Sequence, residues 1–257
     1  MNAMCDPLYP AYPLLLQAWR GHVPCDAQAV PQPGGDDAAA YAIHQALGQE
    51  LGWWAGGVPR NWKTGATGVG ALPTSAPLPD AGVWASPADA RAWPMHQCGV
   101  EAEIAFRLGA DVTAAQAQSL GQEDVHALLD GMAVSIELVD FRWQQGLHAP
   151  AWLKLADLQS HSALVLGAWV DYTPRDWAAQ TCVARWGAHH VAVQGAHPLH
   201  DPLVLMAPWL RHATTHFGTV AAGTVVTTGS WIGLPFAQRG DVVEVEFAGV
   251  GQACVQL

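Results

Sequence analysis

Two short acidic segments carry the clearest chemical signal in this chain. Gly99-Val100-Glu101-Ala102-Glu103-Ile104-Ala105-Phe106 and Ser135-Ile136-Glu137-Leu138-Val139-Asp140 each set carboxylates inside an apolar run that reads as a strand, with Glu103 and Glu137 34 residues apart. Only 33 of the 257 residues are charged, and a carboxylate in such surroundings is costly unless it is paired or bound to a cation. Side chains two apart on a strand share a face. Glu101 therefore points with Glu103, and Ser135 with Glu137. Where the two strands meet, three carboxylates converge, and mutually close acids repel and take up protons unless a cation neutralises them. Mg²⁺ or Mn²⁺ suits such a site, because hard cations prefer oxygen ligands and retain exchangeable waters. Zinc fits less well, since no histidine stands at helical or short spacing from either acid. The Glu-x-Glu spacing alone also describes a solvated strand face, which is the reading given to Glu244 and Glu246.

The elements that must position these acids are legible from periodicity. Residues 26–36 form a Pro/Gly-rich linker with Pro31, Pro33, Gly34 and Gly35. Asp36 then caps a helix that carries Ile43, Leu47, Leu51 and Trp54 near one stripe and ends at Gly56-Gly57 and Pro59. Residues 64–94 read as loops with short strands. Strands are expected at 100–108 and 134–140, with a short helix near 122–130 between them. Further strands are expected at Ala163–Val170, His190–Gln194, Thr224–Thr228 and Val242–Phe247. Asp201-Pro202 can open a helix that Pro208 would kink or divide. No regular βαβ units, GxGxxG or GxxxxGK segment points to a nucleotide fold.

Composition narrows the function classes. Eleven basic residues against 22 acidic ones give a formal net charge of −11, which opposes a nucleic-acid footprint. The N-terminal run Tyr12-Pro13-Leu14-Leu15-Leu16 is too short to span a membrane and follows no basic segment, so a soluble cytoplasmic protein is expected. Cys5, Cys25, Cys98, Cys182 and Cys254 are scattered and odd in number, the pattern of reduced, mostly buried thiols. His212 and His216 stand at i,i+4 without a local acid, and they and the other clustered histidines form no recognised zinc spacing. They read as surface or structural residues.

The motifs taken in order resemble the 2-keto-4-pentenoate hydratase branch of the fumarylacetoacetate hydrolase superfamily. Val100-Glu101-Ala102-Glu103-Ile104-Ala105-Phe106 matches its "VEAEIAF" signature, and Ile136-Glu137-Leu138-Val139-Asp140-Phe141-Arg142 resembles "IEIVDSR". Ala40-Tyr41-Ala42-Ile43-His44 resembles "AYAVQ", and Lys63-Thr64-Gly65-Ala66-Thr67 resembles "KIGLT". Ala156-Asp157 through Val165-Leu166-Gly167 resembles "ADNxSxxxxVLG", and the segment from Gly195 to Asp201-Pro202-Leu203 resembles "GxxxGDPL". Gly223 through Ser230 and Gly240 through Val243 resemble the closing "GxVVxTGS…GDxV". The likeness spans about residues 36–257.

The resemblance implies an α+β fold, with a mixed β-roll core and a smaller N-terminal helical region, divided at 1–62 and 63–257. It implies Mg²⁺ or Mn²⁺ on Glu101, Glu103 and Glu137, and a homo-oligomer. It implies a hydro-lyase that adds water to a short 2-hydroxy-2,4-dienoate through its 2-oxo tautomer. The same metal-enolate logic serves a C–C hydrolase or decarboxylase on a related 2-oxo acid, and a non-catalytic ligand-binding homologue is a third reading. Lys63 is expected to meet the substrate carboxylate or move a proton, and Asp157 to aid proton transfer. Ser160, Leu158 and His161 are expected against the substrate. Leu158 stands where the family usually has Asn, and Phe141 where it has Ser, which implies a less polar pocket suited to an apolar-tailed 2-oxo acid. The acidic segment usual upstream of the metal motif has no clear match; only Asp80 and Asp89 lie nearby.

Overall fold

Strict alternation along two long strands divides the molecule into an inter-sheet core and a site face. In this computed structural model, which describes residues 10–31 and 35–257, Val100, Ala102, Ile104, Phe106 and Leu108 enter the main apolar core together with Met132, Val134, Ile136 and Leu138. The residues between them, Glu101, Glu103, Ser135 and Glu137, take the other face. Cys5, Pro33 and Gly34 lie outside the described residues.

The N-terminal part holds α1 (Ala11–Gly21) and α2 (Asp37–Leu51). Asp36 caps α2 as expected, its side chain accepting from the Ala39 N–H at 2.9 Å. The helix stops at Gly52, in the left-handed region at φ 63°, so Trp54 lies past its end and folds its ring back onto Gly48 of α2. Then follow β1 (Asn61–Gly65), β2 (Thr74–Pro77), β3 (Val83–Ala85), β4 (Ala88–Asp89) and β5 (Cys98–Leu108). After α3 (Ala114–Ser119) come β6 (Leu129–Val139), α4 (Ala151–Ala156), β7 (His161–Leu166), β8 (Val170–Asp171), β9 (Thr181–Trp186) and β10 (His189–Gln194). The chain closes with α5 (Met206–Phe217), β11 (Val225–Thr228), β12 (Phe236–Ala237), β13 (Val242–Phe247) and β14 (Gly251–Gln256).

One sheet runs β2-β1-β11-β5-β6-β7-β3, with β12 paired to β5 and β8 to β6; the other runs β10-β9-β13-β14-β4. The first is mixed: β1 is parallel to β11, while β5 is antiparallel to both β11 and β6. The result is an α+β fold with a curled sheet core and an N-terminal helical region, as expected. The sheets approach closely at Gly167, where a Cβ would lie 2.5 Å from the Gln252 carbonyl oxygen. A second apolar cluster joins α1 and α2 to Trp143, Ala149, Leu153 and Leu155. The buried His44 Nε2–H donates to the Leu155 carbonyl at 2.6 Å, and Tyr41 packs on His212 at 4.2 Å between ring centroids. His44 and His212 are therefore packing residues that bind α2 to α4 and α5.

Several boundaries differ from expectation. The segment near 122–130 forms a 3-10 turn, Glu123–Leu128, and β6 starts at Leu129. The expected strand over Ala163–Val170 divides around Gly167 into β7 and β8. The Asp201 start holds, but Pro202–Leu205 is a 3-10 turn and Pro208 falls in the first turn of α5, where no backbone donor is needed. Glu244 and Glu246 face solvent on β13, as read from the sequence. The described cysteines Cys25, Cys98, Cys182 and Cys254 are all free. Among the described residues no helix is long and apolar enough to cross a membrane.

Candidate metal centre

Antiparallel pairing sets Glu101 opposite Glu137 and Glu103 opposite Ser135, and directly opposed residues share a sheet face. The three glutamates thus converge, with one oxygen from each lying within 4.8 Å of the others. Glu137 is fully buried, Glu103 almost so, and Glu101 is half-buried. Neighbouring strands complete the cluster. Lys63 on β1 pairs with Thr227 on β11, which in turn pairs with Ala105 on β5. The Thr227 hydroxyl donates to Glu103 Oε2 in a short hydrogen bond and lies 2.7 Å from Ser135 Oγ.

Lys63 Nζ donates to Glu137 Oε1 at 2.5 Å, and a longer contact of 3.4 Å reaches the Gln159 carbonyl. His161 Nδ1 stands 3.0 Å from the same Oε1. Glu137 Oε2 is buried with no partner. A buried carboxylate oxygen with no partner, in a cluster with two other carboxylates, fits a ligand position for a hard cation. One lysine offsets one of three acids; a divalent ion offsets the other two.

The proton affinities tell the same story. Burial, opposed by Lys63 and aided by Glu137, pushes the Glu101 carboxyl up to about 7. Burial and the charges of Glu137 and Glu101 hold Glu103 well above the usual carboxylate range. Burial also pushes Glu137 up, but the Lys63 ammonium and the His161 hydrogen bond outweigh it and leave its pKa lowered. Burial favours neutral His161 over its charged form, against the pull of Glu137. A neutral imidazole beside an ionised carboxylate donates from Nδ1, so its buried, unpartnered Nε2 is an acceptor. The residues present fit a hard divalent cation on Glu101, Glu103 and Glu137, with His161 outside that set. A histidine does reach the acids, contrary to what local spacing suggested, but from 24 residues along the chain and on the outer oxygen.

The segment before His161 is unusual. Leu158, Gln159 and Ser160 have φ of 51°, 55° and 62°, three successive non-glycine residues in the left-handed region at roughly 1–2 kcal/mol each. The turn carries the Gln159 carbonyl to Lys63 and the Gln159 amide to Thr74 Oγ1 at 2.5 Å. Leu158 and Ser160 are both buried. Asp157 precedes the turn and is fully buried. Its Oδ1 accepts from Arg142 Nε at 2.6 Å and its Oδ2 from the Arg142 N–H at 3.1 Å. Arg142 in turn stacks over Trp19 of α1 at 4.4 Å. Burial pushes Asp157 up to about 6 even with Arg142 beside it. Phe141 lines a cleft with Trp19, Trp93 and Arg142 and packs near Phe236. Asp80 is engaged by the Ala55 N–H and Asn61, and Asp89 by Arg91.

Because Asp157 and Arg142 are buried together, removing one partner strands the other. Arg142→Met is expected to lower the unfolding free energy by about 3–5 kcal/mol, read as a shift of the urea midpoint. A midpoint within error of the parent would show that this pair does not hold the turn.

Thr227 and Gln159 were not singled out from the sequence. Thr227 sits inside a quoted motif, but its contact with Glu103 depends on pairing between β11 and β5, which has no local signature. Gln159 falls at a variable position of its motif.

Comparison with known proteins agrees with this geometry. Over almost its full length the chain matches 4-oxalocrotonate decarboxylase from Pseudomonas putida G7, in complexes with calcium and acetate and with magnesium and adipate. Each match has a TM-score of 0.81 at 18% identity, covering 99% of this chain and 98% of that one. The 2-hydroxyhepta-2,4-diene-1,7-dioate isomerase from Mycobacterium marinum matches with a TM-score of 0.57 at 16% identity, over 77% of this chain and 74% of that one. These likenesses are of fold. No curated protein matches the chain. The family model described as fumarylacetoacetate (FAA) hydrolase C-terminal matches residues 68–257, the stretch that supplies all three glutamates, and the chain belongs to the fumarylacetoacetate hydrolase family.

Proposed function

We propose that the chain is a divalent-metal-dependent enzyme that breaks a carbon–carbon bond in a short 2-oxo acid. The carrying observation is the three-carboxylate cluster with its orphaned Glu137 Oε2, set beside a buried lysine. A bound Mg²⁺ or Mn²⁺ would polarise the 2-oxo group and favour its enolate. The protein's own groups supply the rest. Lys63 holds the substrate carboxylate or moves a proton at Nζ. Thr227 fixes the orientation of Glu103. Asp157, engaged through both oxygens by Arg142, acts by positioning the turn that carries Gln159, Ser160 and His161.

Likeness in fold to a 4-oxalocrotonate decarboxylase that binds magnesium and a dicarboxylate supports decarboxylation or C–C hydrolysis over hydration. Hydration of a 2-hydroxydienoate is the second reading, favoured by the Val100–Phe106 motif. A panel of 2-oxo acids with Mg²⁺ or Mn²⁺ separates them: C–C cleavage releases CO₂ or a second acid, whereas hydration gives one 4-hydroxy-2-oxo acid. The panel pairs each monoacid with its matching diacid, in the parent and in Leu158→Asn. Decarboxylation into the 2-oxo enolate requires a second carboxylate and so a diacid, whereas C–C hydrolysis does not. Among substrates open to hydrolysis, an apolar pocket predicts that the parent prefers the monoacid by about tenfold and that Leu158→Asn narrows the gap, since an unpaired buried carboxylate costs several kcal/mol. A parent that prefers the diacid among those substrates overturns the apolar-pocket reading. Hydrated product alone overturns the cleavage reading.

A further inference from the structure

His161 reaches Glu137 only because the chain departs from regular structure twice. The left-handed turn at Leu158–Ser160 delivers the chain into β7. The pairing of β6 with β7 then passes from Leu138 opposite Ala163 to Val139 opposite His161, so that Ser162 is an extra residue. A bulge of this kind re-aims side chains. Regular pairing would set Ser162 opposite Val139 and turn His161 to the other face. Instead Ser162 Oγ accepts from Trp93 Nε1 at 3.1 Å, and His161 is buried on the Glu137 face.

The outcome is a redundancy. One oxygen of Glu137 receives both Lys63 and His161, while the other has no partner. Lys63 carries three N–H donors on a flexible stem, so it can turn from Glu137 toward an incoming carboxylate. His161 is a rigid ring, fully enclosed, and cannot follow. A lysine that must both brace a metal ligand and meet substrate needs a second brace.

We infer that His161 is the positioning residue that holds Glu137 in its metal-binding orientation when Lys63 leaves it for the substrate carboxylate. This rests on the proposed metal-dependent action on a 2-oxo acid. It assigns His161 to the ligand rather than to the substrate.

The test measures Mn²⁺ affinity by calorimetry with and without saturating pyruvate, as a simple 2-oxo acid, in the parent, His161→Phe and His161→Asn. Phenylalanine fills the space without a donor; asparagine keeps one. His161→Phe is expected to bind Mn²⁺ within about threefold of the parent when pyruvate is absent, because Lys63 still braces Glu137. With pyruvate present it is expected to bind at least tenfold more weakly than the parent, and His161→Asn is expected to recover most of that loss. A purely structural role would lower affinity equally in both conditions. Equal losses, or no loss in either, overturn the proposal. A parent that binds no Mn²⁺ overturns the metal-dependent function itself, and the His161 role with it. If His161→Phe fails to fold, His161→Ala replaces it in the same comparison.

Discussion

Glu137→Gln is expected to weaken Mn²⁺ binding at least a hundredfold and to lower kcat/KM by about a thousandfold, without loss of fold. A hundredfold corresponds to about 2.7 kcal/mol. The residue is fully buried, with one oxygen braced by two donors and the other free for a cation. An amide cannot meet both demands. If its oxygen faces Lys63 and His161, its NH₂ faces the cation; if it flips, the NH₂ faces two donors. The substitution keeps the volume and leaves one oxygen to accept from Lys63 and His161, but buried Lys63 loses its ionised partner. The melting temperature in EDTA should therefore fall below that of the parent while the protein stays folded, and the rise produced by Mn²⁺ in the parent should vanish. Unchanged Mn²⁺ affinity in titration calorimetry would remove Glu137 from the site.

The same cluster fixes how metal binding responds to pH. Glu101, with its pKa pushed up to about 7, and Glu103, held well above the usual carboxylate range, retain protons that a cation must displace. Raised carboxyl pKa values mean that the metal-free site is protonated at lower pH. Affinity should fall as pH drops below about 7, and metal binding near neutrality should release protons. Calorimetry in two buffers of different ionisation heat reads this directly: the apparent enthalpies must differ. Identical enthalpies would mean that the acids are already ionised without metal.

The site was legible in the sequence to the extent that its geometry is local. Glu101 and Glu103 share a face because of period-two alternation, and that needs no partner strand. The same alternation placed Glu244 and Glu246 in solvent, correctly, since the residues between them fill the core. Motif order then separated two pairs that spacing alone does not distinguish. What sequence could not supply is contact across pairings. Thr227 meets Glu103 through the β11–β5 ladder, and Arg142 meets Asp157 across a 15-residue excursion. The position of His161 depends on a bulge, and one residue of register decides its face. The missed elements differ in kind. Strands β9 and β14 alternate plainly: Cys182, Ala184 and Trp186 are buried on one, and Ala253 and Val255 on the other. Helix α3 is short, and its sign was the capping pair Thr113 and Gln116.

Lys63→Met is expected to separate chemistry from metal binding. Lys63 is buried, and the charges of Glu137, Glu101 and Glu103 raise its pKa against the effect of burial. It therefore stays a cation through neutral pH. Methionine fills much the same space but removes the charge and all three donors. The cluster keeps its three acids and His161, so Mn²⁺ affinity should hold or tighten, because a positive charge beside the cation is gone. Turnover should suffer, since no other cationic side chain among the described residues contacts the three glutamates. A loss in kcat/KM of about a hundredfold is expected, within the usual range for a positioned acid or base. Lys63→Arg should not restore it, because the planar, permanently charged guanidinium can neither yield a proton nor fit the place of a compact ammonium. The comparison is between two readouts on one variant: calorimetric Mn²⁺ affinity and kcat/KM on the best substrate of the panel. If both fall together, Lys63 is a structural strut for Glu137. If neither falls, it takes no part in the reaction.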